Sequence, residues 1–481
     1  LRIPILFLIS FLVISTSTQT RAQQVPALQF SNYGGLYRTT YNPSTLGGSQ
    51  YKWQVTLGTL GGSINNRYFQ FFGRNSFLYP ILASHTSKEL YGRSRTMSSL
   101  VKQDPIFLTS DIRWPSALIS IDAKQSIAIQ MRTRGFFQGN GMPDAVKNAY
   151  FQRMDTGSLS EIADESWGDF SLVQQSFSEM SAAYGIQLLD EADHKLKVGG
   201  TLKRIFGARV SYLKGHVDQF SIQTTGPESS EMEINNFNYE SGFSQKVQSI
   251  KIGDLLNRGV YGNGAGLDLG ITYELGSRWE RPRGIYQKTP GYVLRLAASF
   301  TDIGMIQYKT KNTRIEKGSM ERSLIDQAGL EKIGNEGVEG FASLFPGQLS
   351  DSTFRQNVRL PQTFNLEADL QLWKGFFINV ANTQRLGSRK DHPFDIYQPN
   401  SITITPRTEE EGYDFAFPIT FINGQKKPTI GVVAHFGPVL LGFSNLNGLI
   451  KKSNPKGSMA YIGVSIWKFK DRKKSEILRL K

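Results

Sequence analysis

The sequence predicts an all-β protein, a single transmembrane antiparallel β-barrel of roughly 14–16 strands with short helices in its long loops. Three observations predict it. In two stretches apolar and polar residues alternate without a break, and short connections between alternating segments tend to take turns with long ones. The chain also opens on a segment of the kind that directs export.

That opening segment, residues 1–22, has a basic start at Arg2, an apolar run from Ile3 to Ile14, and small or polar residues up to Thr20-Arg21-Ala22. The run is too short to span a bilayer comfortably, so it reads as a secretory signal cleaved after Ala22. No other stretch approaches about 18 apolar residues, the length a membrane helix needs. The exported chain has no cysteine and cannot be a disulfide scaffold. At 481 residues it exceeds one ordinary soluble core, which leaves several soluble domains or one large closed sheet.

Composition favours the sheet. Aromatic residues at 12% and 47 glycines suit short strands and turns. A mean hydropathy of −0.31 is no objection, because the lumen face and loops of a barrel are polar and only alternation carries the signal. The net charge of +14 suits contact with anionic lipid headgroups or a polyanion. Part of it forms a solvated basic tail over residues 469–481, just after Lys468. No groove-reading motif accompanies this charge, so nucleic acid is not an expected partner.

Residues 23–50 read as an irregular lead-in or plug, because Asn42-Pro43 and the paired glycines of Ser31–Gln50 mark turns. The barrel is expected over 51–468. Tyr51–Gly73 alternates loosely. Ala117–Ile121 and Gln125–Gln138 flank Asp122-Ala123-Lys124 as a hairpin, with Ile127, Ile129, Met131 and Thr133 opposing Gln130, Arg132 and Arg134. Gly139–Phe170 loses the alternation and reads as a long loop with a short helix around Ala145–Met154. Alternation returns in Met180–Leu189, turns at Asp190–Asp193 and continues through Lys195–Leu213, while Gln219–Thr224 and Ile234–Tyr239 are weaker strands.

After a break over Gln245–Gly264, Ala265, Leu267, Leu269, Ile271, Tyr273 and Leu275 oppose Gly266, Asp268, Gly270, Thr272 and Glu274 without exception. Tyr292–Tyr308 follows, then a charged insertion, Lys309–Ser350, with helical stretches near Arg322–Ile333. In the next hairpin Phe364, Leu366, Ala368, Leu370 and Leu372 face away from Thr363, Asn365, Glu367, Asp369 and Gln371. Trp373-Lys374-Gly375 turns it into Phe376, Ile378 and Val380. Further strands are expected over Ser401–Arg407, Tyr413–Phe421, Thr429–Phe436, Val439–Ser444 and Met459–Trp467. Aromatics near strand ends, Trp53, Tyr292, Tyr308, Trp373, Phe376, Tyr413, Phe421 and Trp467, are candidates for interfacial belts.

Catalytic constellations are absent from this pattern. The five histidines lie far apart, without HExxH and without cysteine to complete a zinc site. Gly262–Gly266 precedes a strand and lacks the Lys-Ser/Thr of a phosphate loop. Glu409-Glu410-Glu411 reads as a solvated turn, and no G-x-S-x-G occurs. No catalytic, metal or cofactor residue is assigned, and the reading is non-enzymatic. What remains is the polar strand face, whose Arg132, Arg134, Asp268, Glu274, Arg295, Glu367 and Asp369 are the candidate lumen-facing charges. With both signs present, salt bridges across the lumen are the expected arrangement, and a selective pore is the sharper alternative.

Several short motifs carry a resemblance: Tyr41-Asn42-Pro43-Ser44, Ile127–Arg134, Ser299–Gly304, Ile404–Arg407, His435–Val439 and Ala460–Val464. With them the chain resembles a large group of uncharacterised Bacteroidetes-type outer-membrane β-barrel proteins carrying a domain of unknown function. The Asn-Pro lead-in is also similar to the plug region of fatty-acid-transporter-like barrels and of type IX secretion accessory barrels. The resemblance implies a porin-like protein of the bacterial outer membrane in contact with its lipid, a channel or transporter for a small or hydrophobic solute. The alternative it implies is a structural barrel that docks a secretion or cell-surface complex through Gly139–Phe170 and Lys309–Ser350.

Overall fold

The computed structural model describes residues 28–65, 69–70, 96–97, 106–141, 143, 161–191, 193–226, 229–244, 262–276, 292–308, 313–336, 338–345, 348–349, 356–373, 375–387, 393–396, 400–422, 428–444, 446 and 457–470. The expected export segment, the helix expected at Ala145–Met154 and residues 471–481 of the expected basic tail lie outside them.

In chain order the strands are β1 (Tyr51–Asn65), the short pair β2 (Phe69–Gln70) and β3 (Thr96–Met97), β4 (Ile106–Arg113), β5 (Ser116–Ser120), β6 (Gln125–Asn140), β7 (Ile162–Glu191) and β8 (His194–Gly226). Then come β9 (Ser229–Ser244), β10 (Gly262–Leu275), β11 (Leu294–Tyr308), β12 (Thr313–Ile325), β13 (Gln348–Leu349), β14 (Gln356–Arg359) and β15 (Thr363–Trp373). The last are β16 (Phe376–Arg385), β17 (Ser401–Glu410), β18 (Tyr413–Ala416), β19 (Ile419–Ile422), β20 (Thr429–Phe436), β21 (Val439–Ser444) and β22 (Gly457–Phe469).

Three staves of the wall consist of two segments interrupted at a proline: β4/β5 at Trp114-Pro115, β14/β15 at Leu360-Pro361 and β18/β19 at Phe417-Pro418. Proline has no N–H for the ladder, so each break is local chemistry and the stave resumes beyond it. Counted this way, fourteen antiparallel staves run β1, β4/β5, β6, β7, β8, β10, β11, β14/β15, β16, β17, β18/β19, β20, β21 and β22. β22 pairs back onto β1 from Tyr51↔Phe469 to Asn65↔Gly457, which closes the barrel and removes its edges.

The wall is inverted relative to a soluble sheet. On β6, Ile127 and Ile129 are exposed while Ser126, Ala128 and Gln130 are buried; on β10, Leu269 and Ile271 are exposed while Asp268 and Thr272 are buried. Leu202 is 69% exposed and Leu60 59%. A whole wall of such residues has no stable solvent but hydrocarbon, so the barrel spans a membrane.

Near the short turns Trp373 stacks on Phe376 with centroids 4.2 Å apart, and Tyr413 and Phe436 are exposed beside them. Tyr292, Tyr308 and Trp467, expected as belt candidates, turn inward instead. Tyr292 precedes the first residue of β11 across a bend at Val293. Tyr308 is reversed by a bulge, because Asp302 at φ 60° inserts an extra step into β11 and swaps the faces beyond it. Trp467 packs in the lumen with its ring near Tyr51 and His435.

Residues 28–50 sit inside the short-turn end as two 3₁₀ turns, Leu28–Phe30 and Pro43–Leu46, with helix α1 (Gly35–Thr39) between them. A bare strip of wall receives them. Gly185, Gly199 and Gly270 are direct cross-strand neighbours on β7, β8 and β10. A Cβ on Gly199 would lie 2.5 Å from the Pro43 carbonyl oxygen, one on Gly185 would lie 2.6 Å from Leu46 Cβ, and one on Gly270 would collide with the Asn42 amide. Ser44 Oγ then meets Thr272 Oγ1 at 2.7 Å, and Asn42 Nδ2 donates to the carbonyl of Ile271 at 3.3 Å.

At the long-loop end β8 leaves β10 after Gly207 and takes β9 as its partner, and β9 pairs with β12. Helices α2 (Gln327–Glu336) and α3 (Val338–Leu344) pack here through Phe341 and Phe345 against Leu213, Val217, Phe237 and Tyr239. Tyr212, next to Leu213, belongs to a different cluster with Phe177, Ile306, Tyr308 and Phe394. Neighbouring residues of a strand point to opposite faces, so this sheet carries the helices on its outward face and the lumen cluster on its inner one. Two expectations change accordingly. β7 begins at Ile162, inside the expected loop, because β8 pairs with it from Ile162↔Ile222 onward, and Arg322–Ile325 is strand because β9 supplies its partner; local sequence shows neither partner.

Candidate functional site

Two buried ion networks cross the lumen. In the first, near the short turns, β11, β15 and β17 bring Arg295, Glu367, Asp369, Arg407 and Glu409 together by alternation alone, each at an inward position. Arg295 Nη2 lies 2.6 Å from Glu367 Oε1 and 2.8 Å from Asp369 Oδ2. Arg407 grips the two Asp369 oxygens at 2.6 and 2.7 Å, and its Nε reaches Glu409 at 3.2 Å. Tyr292 donates its hydroxyl to Asp369 at 2.5 Å.

The plug completes this network. Arg38 Nη2 lies 3.3 Å from Glu367, Arg295 Nη2 donates to the Phe30 carbonyl at 2.9 Å, and Asn32 bonds to both Arg295 and Glu409. Ser31 Oγ lies 3.1 Å from Glu409 and 2.9 Å from Asp414. These wall charges are essentially without solvent contact. Each ion out of water carries a desolvation cost of several kcal/mol, so the set is stable only while every member keeps its partners.

The second network lies nearer the long loops. Arg132 takes Asp111 in a two-pronged pair, 2.6 Å on each side, with Arg113 3.7 Å away. Arg134 meets Asp302 at 2.7 Å, with its guanidinium over the rings of Phe136 and Phe177. Lys203 bridges Asp302 at 2.7 Å and Asp268 at 2.8 Å.

The space left in the lumen is divided by α1. A cavity of about 60 Å³ lies above it between Arg113, Arg132, Arg134 and Tyr461, with Thr40 and Gln29 of the plug on its floor side. A cavity of about 20 Å³ beside it shares Gln29 and Met459 and is lined by Thr383, Ser401, Thr403 and Thr420. Below α1, a cavity of about 200 Å³ lies between Arg38 and the staves β7, β8 and β10. Among the described residues no group of three or more His, Asp and Glu side chains could hold a metal ion.

A model of a family of unknown function, DUF5723, matches residues 43–443 of the chain. The chain belongs to this family. No curated protein matches it. Among solved structures, this DUF5723 protein is similar to a TodX monoaromatic hydrocarbon channel variant at 8% identity, TM-score 0.41, over 90% of this chain and 94% of that one. It is also similar to the Ralstonia pickettii toluene transporter TbuX at 10% identity, TM-score 0.37, over 95% and 96% of the two chains. A Pseudomonas aeruginosa FadL homologue follows at 9% identity, TM-score 0.36, over 88% and 92%. The barrel itself rests on its closed register and not on these likenesses.

The charges singled out in the DUF5723 sequence fall into three places. Arg295, Glu367 and Asp369 share the first network; Arg132, Arg134 and Asp268 share the second; Glu274 stands apart, paired with Lys197 at 2.7 Å. Others were missed for identifiable reasons. Arg407 and Glu409 lie at alternating positions of β17, where a count by two from Thr403 finds them. Glu409 therefore does not belong to a solvated turn: it is buried, and only Glu410 and Glu411 are exposed. Asp302 lies in the bulge itself and Arg38 sits in the plug, so no periodicity marks either.

Proposed function

We propose that this DUF5723 protein is a non-enzymatic transporter of the bacterial outer membrane, in which the N-terminal plug gates the passage of a small solute. One observation carries the reading: the plug lies between the cavities, with Arg38 of α1 lining the lower one and Gln29 and Thr40, on either side of α1, lining the upper one. The upper lining mixes Arg113, Asp111, Arg132 and Thr40 with Phe136, Met459 and Tyr461, which suits a small solute with both a polar and an apolar part. The lipid-facing wall and the export-type sequence of residues 1–22 support residence in the outer membrane.

A second reading has its own support. The α2–α3 pair forms a separate core on the outward face, where Tyr239 bonds to the Phe345 carbonyl, and this region could dock a secretion or surface complex. Conductance in planar bilayers separates the two. Rare small steps from the full chain and sustained large steps after deletion of residues 28–50 are the expected result, provided both still shift mobility on heating in a gel. Silence from both folded proteins favours docking.

A further inference from the structure

The cavity below α1 is chemically unbalanced. Its charged lining residues are Arg38, Lys195, Lys197 and Glu274, three cations and one carboxylate. Glu274 is taken by Lys197 at 2.7 Å. Arg38 faces Glu367 at 3.3 Å, but Arg295 holds that same oxygen more closely at 2.6 Å. Arg38 is 6% exposed, and its Nε has no hydrogen-bond partner among the described residues. A guanidinium taken out of water with an unused N–H bears a desolvation cost that a counter-charge would offset.

Neutral donors and acceptors complete the lining: Gln187, Asn32 and Thr45 stand around the same space. At about 200 Å³ the cavity has room for one small anion and accompanying water. Water alone would occupy the N–H groups but leave the lining with three cations to one carboxylate, and Arg38 with only a share of Glu367.

We propose that this cavity binds a small oxyanion of the phosphate kind between Arg38 of the plug and Lys195 and Lys197 of the wall. The plug supplies one side of the site and the barrel the other, so the bound anion clamps them together. The site itself stands on its own lining; only the consequence for gating rests on the transport reading above.

The probe is inorganic phosphate, titrated calorimetrically into the full chain folded in detergent micelles at low ionic strength. A saturable heat is expected. Arg38→Gln and Lys195→Gln should each weaken it by roughly tenfold or more, the loss of a charge-assisted contact. Arg322→Gln, in an exposed pair with Glu233, should leave it unchanged. Lys195→Gln at a half-buried wall position keeps the test valid if Arg38→Gln fails to fold. No saturable heat, or a heat that Lys195→Gln retains in full, overturns the site.

Because the chain has no cysteine, Thr40→Cys gives a clean label on the plug. Phosphate should slow its reaction with a maleimide, and Lys195→Gln should abolish the slowing. Phosphate binding with unaltered labelling overturns the clamp. Phosphate binding in a barrel that never conducts removes the transport reading and leaves the site standing, whereas conduction without phosphate binding does the reverse.

Discussion

Arg134 on β6 and Asp302 on β11 meet at 2.7 Å although three staves, β7, β8 and β10, separate them along the wall. The pair is a chord of the barrel, not a neighbour contact. Its reach shows that the lumen at this level is narrow, and Lys203 and Asp268 fill what remains between them.

Removing one end of the chord should therefore be severe. Arg134→Ala leaves Asp302 with Lys203 alone, and we expect destabilisation of about 3–5 kcal/mol, the usual result of stripping a buried charge of its partner. Replacing both, as Arg134→Met with Asp302→Asn, should restore part of the loss. Urea unfolding followed by heat-modifiable gel mobility measures both; equal stability of Arg134→Ala and the unaltered chain would contradict the chord.

The glycine strip makes a prediction about position only. Gly199→Val places branched carbons where the Pro43 carbonyl now lies, 2.5 Å from the first of them, and the plug must leave. The staves themselves accept valine well. The barrel should fold and close while residues 28–50 become sensitive to protease, whereas Gly226→Ala, whose Cβ would meet only Ser229 Cβ at 3.6 Å, should leave the plug protected.

Asp369 holds Arg295, Arg407 and the Tyr292 hydroxyl at once. Asp369→Asn keeps the shape and removes the charge, leaving two arginines short of an anion. Loss of roughly 3–5 kcal/mol is expected, and the plug should loosen with it because Arg295 also fastens the Phe30 carbonyl. Hydrogen exchange read separately for residues 28–50 and for β15 tests whether both move.

A pH effect is expected beyond the membrane, on the part of β8 past Gly207. His216 has its Nδ1 2.7 Å from Asp169 and its Nε2 3.0 Å from Asp218, and the hydrogen bond to Asp169 raises its pKa above the ordinary value, with Asp218 adding to it. The folded form holds the proton more tightly, so the stabilisation is full below the unfolded value of about 6.5 and fades as pH rises through the folded one. Exchange in the β7–β8 extension, corrected for intrinsic rates, should be faster at alkaline pH than at acid pH. His216→Asn should remove that difference.

Much of the wall is legible in the residues. The unbroken alternation of Ala265–Leu275 and Phe364–Leu372 names the staves and tells which side of each is greasy, because a strand reverses face at every step. From that alone Asp268, Glu367 and Asp369 point away from the lipid. The rule fails where an extra residue enters a strand: after Asp302 the faces of β11 swap, and Tyr308, read as a belt residue, is in the lumen.

By itself, then, the sequence determined that this chain forms a sheet with one face for hydrocarbon, and which charges lie on the other. Only the tertiary structure decided that the sheet closes at fourteen staves, that Arg134 reaches Asp302, and that the Asn42-Pro43-Ser44 turn rests on the glycines of three strands. The physical reason is range. Alternation is set within a single strand, whereas closure, chords and the seat of the plug depend on residues hundreds of positions apart, whose meeting no local periodicity encodes.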